Sequence, residues 1–187
     1  MNLPNKLTVL RIVLTAVFLL LFSAEFIPHN FLFALIVFAI ASVTDFADGK
    51  IARKRNIVTN FGKIADPIAD KILTISVLLC FMQMELCSIW VVIIILFREF
   101  TVSAIRITAA SQGSVIPANI FGKIKTVSQM SFSILILLFI VLSNEGLYTV
   151  PHLEIISSSL LWVTALLTVV SGVIYVRDSS KIIDFSK

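Results

Sequence analysis

Thr44 to Lys71 reads TDFADGKIARKRNIVTNFGKIADPIADK, and this stretch decides the fold. It holds four of the eleven acidic residues of the chain. Asp45 and Asp48 are three positions apart, and Asp66 and Asp70 are four apart. On helices, each pair lies on one face, with one turn between its members. Gly49, Arg53 and Gly62 sit between the pairs, with further cations at Lys50, Lys54, Arg55 and Lys63. Apolar runs flank the stretch on both sides. Four carboxylates at the margin of such runs are costly unless a cation joins them. A divalent metal ion, which takes hard oxygen ligands, fits that need.

Outward from the stretch, the composition sets the solvent. The 187 residues are 58% hydrophobic, with a mean hydropathy of +1.03. A soluble domain is about 45–50% apolar, so the chain reads as an all-α integral membrane protein. Six apolar segments are predicted as spans, at about 7–24, 31–53, 62–84, 86–107, 121–143 and 155–176. They use nearly all of residues 1–187, which makes the chain one transmembrane domain. Asn5 is placed to cap the first helix. Pro67 is placed near the start of the third, where a missing N–H is tolerated. The net charge of +4 is not a nucleic-acid signature, because the cations gather in particular loops. Cys80 and Cys87 have neither metal spacing nor a disulfide framework and read as buried apolar residues. His29 and His152 read as surface residues, and Trp90 and Trp162 as interfacial anchors. The last span reads as apolar filler.

The cations also orient the bundle. Residues 25–30, 82–88 and 143–153 contain no Lys or Arg, whereas the N-terminus, the 50–63 loop, the 106–125 region and the tail hold most of them. The positive-inside rule makes both termini and the acidic stretch cytoplasmic. Spans one, three and four have charge-free runs of only about a dozen residues, and each lacks its cytoplasmic part. Ionisable residues at membrane depth face an interior or a wet cavity. The sequence therefore predicts a polar, metal-binding chamber open to the cytoplasmic side. Arg11, Asp45, Asp48, Asp66, Asp70, Arg98, Arg106, Lys123 and Lys125 line it, and apolar side chains seal the outer half. Carboxylates that hold a metal against a pyrophosphate, one of them free to take a proton, suit phosphate chemistry between a lipid and a water-soluble substrate. Arg98 and Glu99 are neighbours in sequence, so they need not pair with each other on a helix.

The spacing Asp45-x-x-Asp48-Gly49-x-x-Ala52-Arg53, eight residues, then Gly62-x-x-x-Asp66-x-x-x-Asp70 resembles the full signature of the CDP-alcohol phosphotransferase family. Eight fixed residues over 26 positions carry that resemblance. The opening NLPNKLTVLR, the Arg98-Glu99 pair with Arg106, and Gly122-Lys123-Ile124-Lys125-Thr126 are similar to the bacterial members whose acceptor is glycerol 3-phosphate. The resemblance implies a transferase of phospholipid biosynthesis. It would move the phosphatidyl group of CDP-diacylglycerol to sn-glycerol 3-phosphate, releasing CMP. It implies that Asp45, Asp48 and Asp66 bind Mg²⁺ or Mn²⁺ with the CDP pyrophosphate. Asp70 would be the catalytic general base and a possible metal ligand. Gly49, Arg53 and Gly62 would lie along the CDP moiety together with Asp48 and Asp66, and Asn5, Thr8 and Arg11 on its nucleotide side. Arg98, Arg106, Lys123 and Lys125 would bind the glycerol phosphate. Lys123 and Lys125 are about 200° apart on a helix, so that if both touch one phosphate the helix should begin near them. The resemblance further implies a homodimer among membrane lipids in a bacterial cell membrane. Two other readings stay open at this point. One is a family member with another acceptor, such as inositol phosphate. The other is a divalent-cation transporter using the aspartates as its ion site.

Overall fold

A computed structural model of the chain describes residues 3–55, 60–114, 116 and 120–181, with side chains described for 5–44, 65, 67–114, 116 and 120–181. Among these residues the only regular elements are six α-helices: α1 Leu3–Ser23, α2 Asn30–Arg55, α3 Asn60–Gln83, α4 Ile89–Ser111, α5 Ile120–Asn144 and α6 Leu153–Ser179. Each coincides with a predicted span to within a few residues. At 1.5 Å per residue they run about 30–40 Å. By length and composition, Asn5–Ser23, Ile120–Asn144 and Leu153–Ser179 can cross a membrane, and Asn30–Thr44 is a shorter apolar stretch. The apolar run of α4 is interrupted by Arg98, Glu99 and Arg106. Large apolar side chains such as Leu20, Phe97, Ile107, Leu166 and Val173 stand exposed around the bundle. A surface of this kind fits lipid better than water, as in a membrane protein.

Two local expectations change. Because α1 begins at Leu3, Asn5 lies inside the helix and is buried, so it does not cap it. Because α3 begins at Asn60, Pro67 falls inside the helix, beyond the turn where its missing N–H has no consequence.

The helices associate as two triads. α1 packs against both α2 and α3, α6 packs against both α4 and α5, and contacts of α2 with α5 and of α3 with α4 and α5 join the triads. The turns after α1, α3 and α5 share one end of the bundle. The His29 imidazole hydrogen-bonds the Glu145 carboxylate between the first and last of these turns. Glu85, Glu154 and Trp162 line a shallow hollow at the same end. The apolar core fills the half of the bundle next to these turns. Phe18 packs its ring on Phe22 and Phe38, with centroids 5.8 and 5.4 Å apart. Leu73, Val77, Phe81, Val91, Ile95, Ile136, Ile140 and Leu161 complete it. Cys80 and Cys87 are free thiols buried in this core, in keeping with their reading as apolar residues.

Helices α3, α4 and α5 end with the same hydrogen-bonded loop. The N–H of Leu86, Ser114 and Leu147 donates to the carbonyl of Phe81, Ala109 and Leu142 respectively, at 2.9–3.1 Å. The loop requires a left-handed residue just before the donor. Gly113 and Gly146 supply it after α4 and α5, whereas Glu85 supplies it after α3 with φ 62°. A side chain there carries a steric penalty of about 1 kcal/mol. Glu85→Gly is therefore expected to raise the melting temperature in detergent, by an increment worth up to about 1 kcal/mol. A lower melting temperature would show that the Glu85 carboxylate stabilises the turn.

Candidate functional site

The half of the bundle opposite the three turns holds the buried cations Arg11 and Lys125 and much of the buried polar surface. On α1, Asn5, Thr8, Arg11 and Thr15 recur at intervals of three and four residues and so share one helix face. All four are buried, and Arg11 is 1% exposed. The Thr15 hydroxyl donates to the Arg11 carbonyl at 2.8 Å. A face of this kind in an apolar helix points into a polar interior. The three residues expected on the nucleotide side are thus brought together on one wall.

The backbone carries the acidic stretch on two successive helices. Asp45 and Asp48 lie in the last turns of α2, and Asp66 and Asp70 in the first turns of α3. The side chains of Asp45, Asp48, Gly49, Arg53, Gly62 and Asp66 lie outside the described residues. Among the described residues, no three metal-ligating side chains gather. Asp70 is partly buried. The next turn of α3 is fastened to it by the Thr74 hydroxyl, which donates to the Asp70 carbonyl at 3.1 Å. The donor set itself, four carboxylates one helical turn apart within each pair, has the oxygen chemistry that Mg²⁺ or Mn²⁺ takes.

Beside Asp70 the structure builds a cluster of cations around one carboxylate. Lys125 Nζ donates to Glu99 Oε1 at 2.7 Å, and Arg98 Nη1 donates to the same oxygen at 3.0 Å. The neighbours Arg98 and Glu99, which need not pair on a helix, do pair here through the reach of the long arginine side chain. Lys71 Nζ donates to the Glu99 carbonyl at 3.3 Å and to the Ser103 hydroxyl. It also stands 5.8 Å from the centroid of the Phe100 ring. Asp70 is close enough to Lys125 to act on it electrostatically. The cluster therefore joins α3, α4 and α5 at the level of Asp70.

The acceptor-side candidates separate by environment. Lys125 is buried and Lys123 exposed on the same helix, as their angular separation requires. The helix begins at Ile120, so both lie within its first two turns. Arg106 is the candidate held from α6, where its Nε donates to the Tyr175 hydroxyl at 3.2 Å. The sequence reading passed over Lys71, the hub role of Glu99, and Tyr175. Lys71 could have been found from its place beside Asp70, at the head of the apolar run that begins at Ile72. The view of the last span as apolar filler is corrected. Helix α6 buries Ser157, Thr164, Thr168, Ser171, Tyr175 and Ser179 along one seam. The hydroxyls of Thr164, Thr168, Ser171 and Ser179 bond to carbonyls of their own helix at 2.6–3.1 Å, which lets polar residues sit at a close helix contact. The small side chains suit α6 to its central place between α4 and α5.

Removing one partner of a buried ion pair costs more than the pair contributes, since it strands the other charge. Glu99→Gln is expected to destabilise the folded protein by about 3 kcal/mol, read as a lower melting temperature in detergent. Adding Lys125→Met should recover part of that loss. A double variant no more stable than Glu99→Gln alone would rule out the shared pair as the source.

The chain is similar to known proteins over most of its length. The model of the CDP-alcohol phosphatidyltransferase family matches residues 1–170. A Bacillus subtilis protein named CDP-diacylglycerol–glycerol-3-phosphate 3-phosphatidyltransferase is 42% identical over 186 residues, covering 91% of each chain. A Rickettsia felis protein of the same name is 39% identical over 180 residues, covering 96% of each chain. A Mycobacterium tuberculosis protein named probable phosphatidylglycerophosphate synthase is 38% identical over 177 residues, covering 94% of this chain and 80% of its own. On a family match through most of its length and relatives of about 40% identity, the chain belongs to the CDP-alcohol phosphatidyltransferase family.

Proposed function

We propose that this protein transfers the phosphatidyl group of CDP-diacylglycerol to sn-glycerol 3-phosphate, giving phosphatidylglycerol phosphate and CMP. The names of the relatives support the reaction. The observation that carries the choice of acceptor is the cluster at Glu99. Arg98 and Lys125 share the Glu99 carboxylate and Lys71 holds the Glu99 carbonyl, so three cations stand with one carboxylate and the site keeps a net positive charge beside Asp70. Such a pocket suits an acceptor bearing phosphate and disfavours a neutral alcohol.

In this reading the bundle spans the membrane six times as one domain. Both termini and the polar half face the cytoplasm of a bacterial cell, and two copies associate in the bilayer. Asp45, Asp48 and Asp66, with Asp70 at the edge of the set, are the residues that would hold Mg²⁺ or Mn²⁺. The ion supplies charge neutralisation at the pyrophosphate. Asn5, Thr8 and Arg11 line the nucleotide side, and Gly49, Arg53 and Gly62 lie along the CDP. Arg98, Arg106, Lys123 and Lys125 hold the phosphate of the acceptor and so orient its free hydroxyl. Asp70 takes the proton of that hydroxyl as its oxygen bonds to the phosphorus attached to diacylglycerol. The bond from that phosphorus to the CMP oxygen breaks, and CMP leaves with the electron pair. The apolar half of the bundle keeps water from competing with the acceptor.

The test is CMP release from CDP-diacylglycerol by purified protein in detergent. Glycerol 3-phosphate, inositol 1-phosphate, serine or no acceptor would be supplied with Mg²⁺, Mn²⁺ or chelator. Release is expected only with glycerol 3-phosphate and a divalent ion. Asp70→Asn should lower it by about 10²–10⁴-fold, the range for loss of a general base. Release with inositol 1-phosphate instead would reassign the acceptor. Metal flux into proteoliposomes without release would turn the reading to transport.

A further inference from the structure

Helix α6 touches two of the acceptor-side cations, although its sequence carries no charge between Glu154 and Arg177. Tyr175 is 2% exposed. Its hydroxyl accepts from Arg106 Nε at 3.2 Å, and its ring centroid lies 5.6 Å from Arg106 Cζ. One tyrosine thus fixes the guanidinium at its inner nitrogen and by its ring. A guanidinium has five N–H donors, and a bond through Nε leaves the four on the two terminal nitrogens. Those four form the fork that matches a phosphate. Among the described residues Arg106 has no carboxylate partner, whereas Arg98 and Lys125 share Glu99.

Three residues earlier on α6, Gly172 meets the other arginine. A Cβ at Gly172 would stand 3.0 Å from Arg98 Cγ, and one at Gly122 of α5 would stand 3.3 Å from Arg98 Nη2. The stem of Arg98 therefore lies on the bare backbone of α6 while its head reaches the first turns of α5. Positions 172 and 175 are about 60° apart around the helix, so one face of α6 meets both arginines.

We propose that α6 forms the positioning wall of the acceptor-phosphate site, and that Tyr175 is the positioning residue that sets the Arg106 guanidinium toward the phosphate. The proposal rests on the glycerol-phosphate reading given above. Tyr175 touches no reacting atom in it. It acts through Arg106, by restricting the rotamers of a long side chain before the acceptor arrives, which lowers the ordering cost of binding. Gly172 serves the same wall by admitting Arg98 against it.

Tyr175→Phe removes the hydroxyl and keeps the ring and its packing. CMP release by wild type and variant would be measured against glycerol 3-phosphate at saturating CDP-diacylglycerol, and against CDP-diacylglycerol at saturating glycerol 3-phosphate. Melting temperatures would be taken in the same detergent. The expected result is a KM for glycerol 3-phosphate raised by about tenfold, the worth of a hydrogen bond to a charged group. The KM for CDP-diacylglycerol should stay within about twofold, and the melting temperature within a few degrees. An unchanged acceptor KM in an active variant overturns the positioning role alone. So does a lowered melting temperature with both KM values moved together, the mark of a tie that only holds α4 to α6. A wild-type protein that releases no CMP with glycerol 3-phosphate overturns this role and the proposed reaction together.

Discussion

The Glu99 carboxylate accepts from Lys125 and Arg98 through one oxygen, inside a bundle of largely apolar helices. Moving any of these charges from water into such surroundings is unfavourable by several kcal/mol per ion, on the order of magnitude found for buried ions. They can be held there only as a set. The set fixes the relation of α4 to α5, and Lys71 extends it to α3 through the Glu99 carbonyl and Ser103. The positions of Lys71, Arg98 and Lys125 therefore follow from one local charge balance.

That balance is confined to half of each helix. Toward the turns at 24–29, 84–88 and 145–152 the same helices bury Phe18, Phe38, Phe81, Ile95, Ile140 and Leu161. Away from them they bury Asn5, Thr8, Arg11, Lys125 and Gln129. An apolar half that is densely packed resists distortion. It gives the polar half a rigid base, which a site needs if it is to hold two substrates in line. Helices α1 and α6 each meet two neighbours, and their buried faces run polar along much of their length while their other faces expose Leu20, Leu166 and Val173.

The residues that carry the family signature were legible without coordinates, since a carboxylate spacing of three or four on a helix fixes a shared face. The six helices were legible as well, as long apolar runs bounded by Pro28, Gly113, Gly146 and Pro151. Less legible were events within one turn. Asn5 reads as a cap by its type, yet the helix starts at Leu3 and buries it. Glu85 occupies a left-handed position that residue type assigns to glycine. Arg98 and Glu99 do not face each other on a helix surface, and only the reach of the arginine side chain brings them together.

By itself the sequence determined the solvent, the helices, the acidic stretch and the family, because each depends on composition or on spacing along one element. The tertiary structure decided which cations share a carboxylate and which stands apart from it. Lys125 is buried against Glu99, and Arg106 leans on Tyr175, 69 positions further along the chain. It also turned α6 from an apolar segment into the helix whose Gly172 and Tyr175 receive two arginines. No periodicity within α6 could show this. The partners lie on α4, and the packing of the two helices alone sets which of its small and aromatic residues meet a charge.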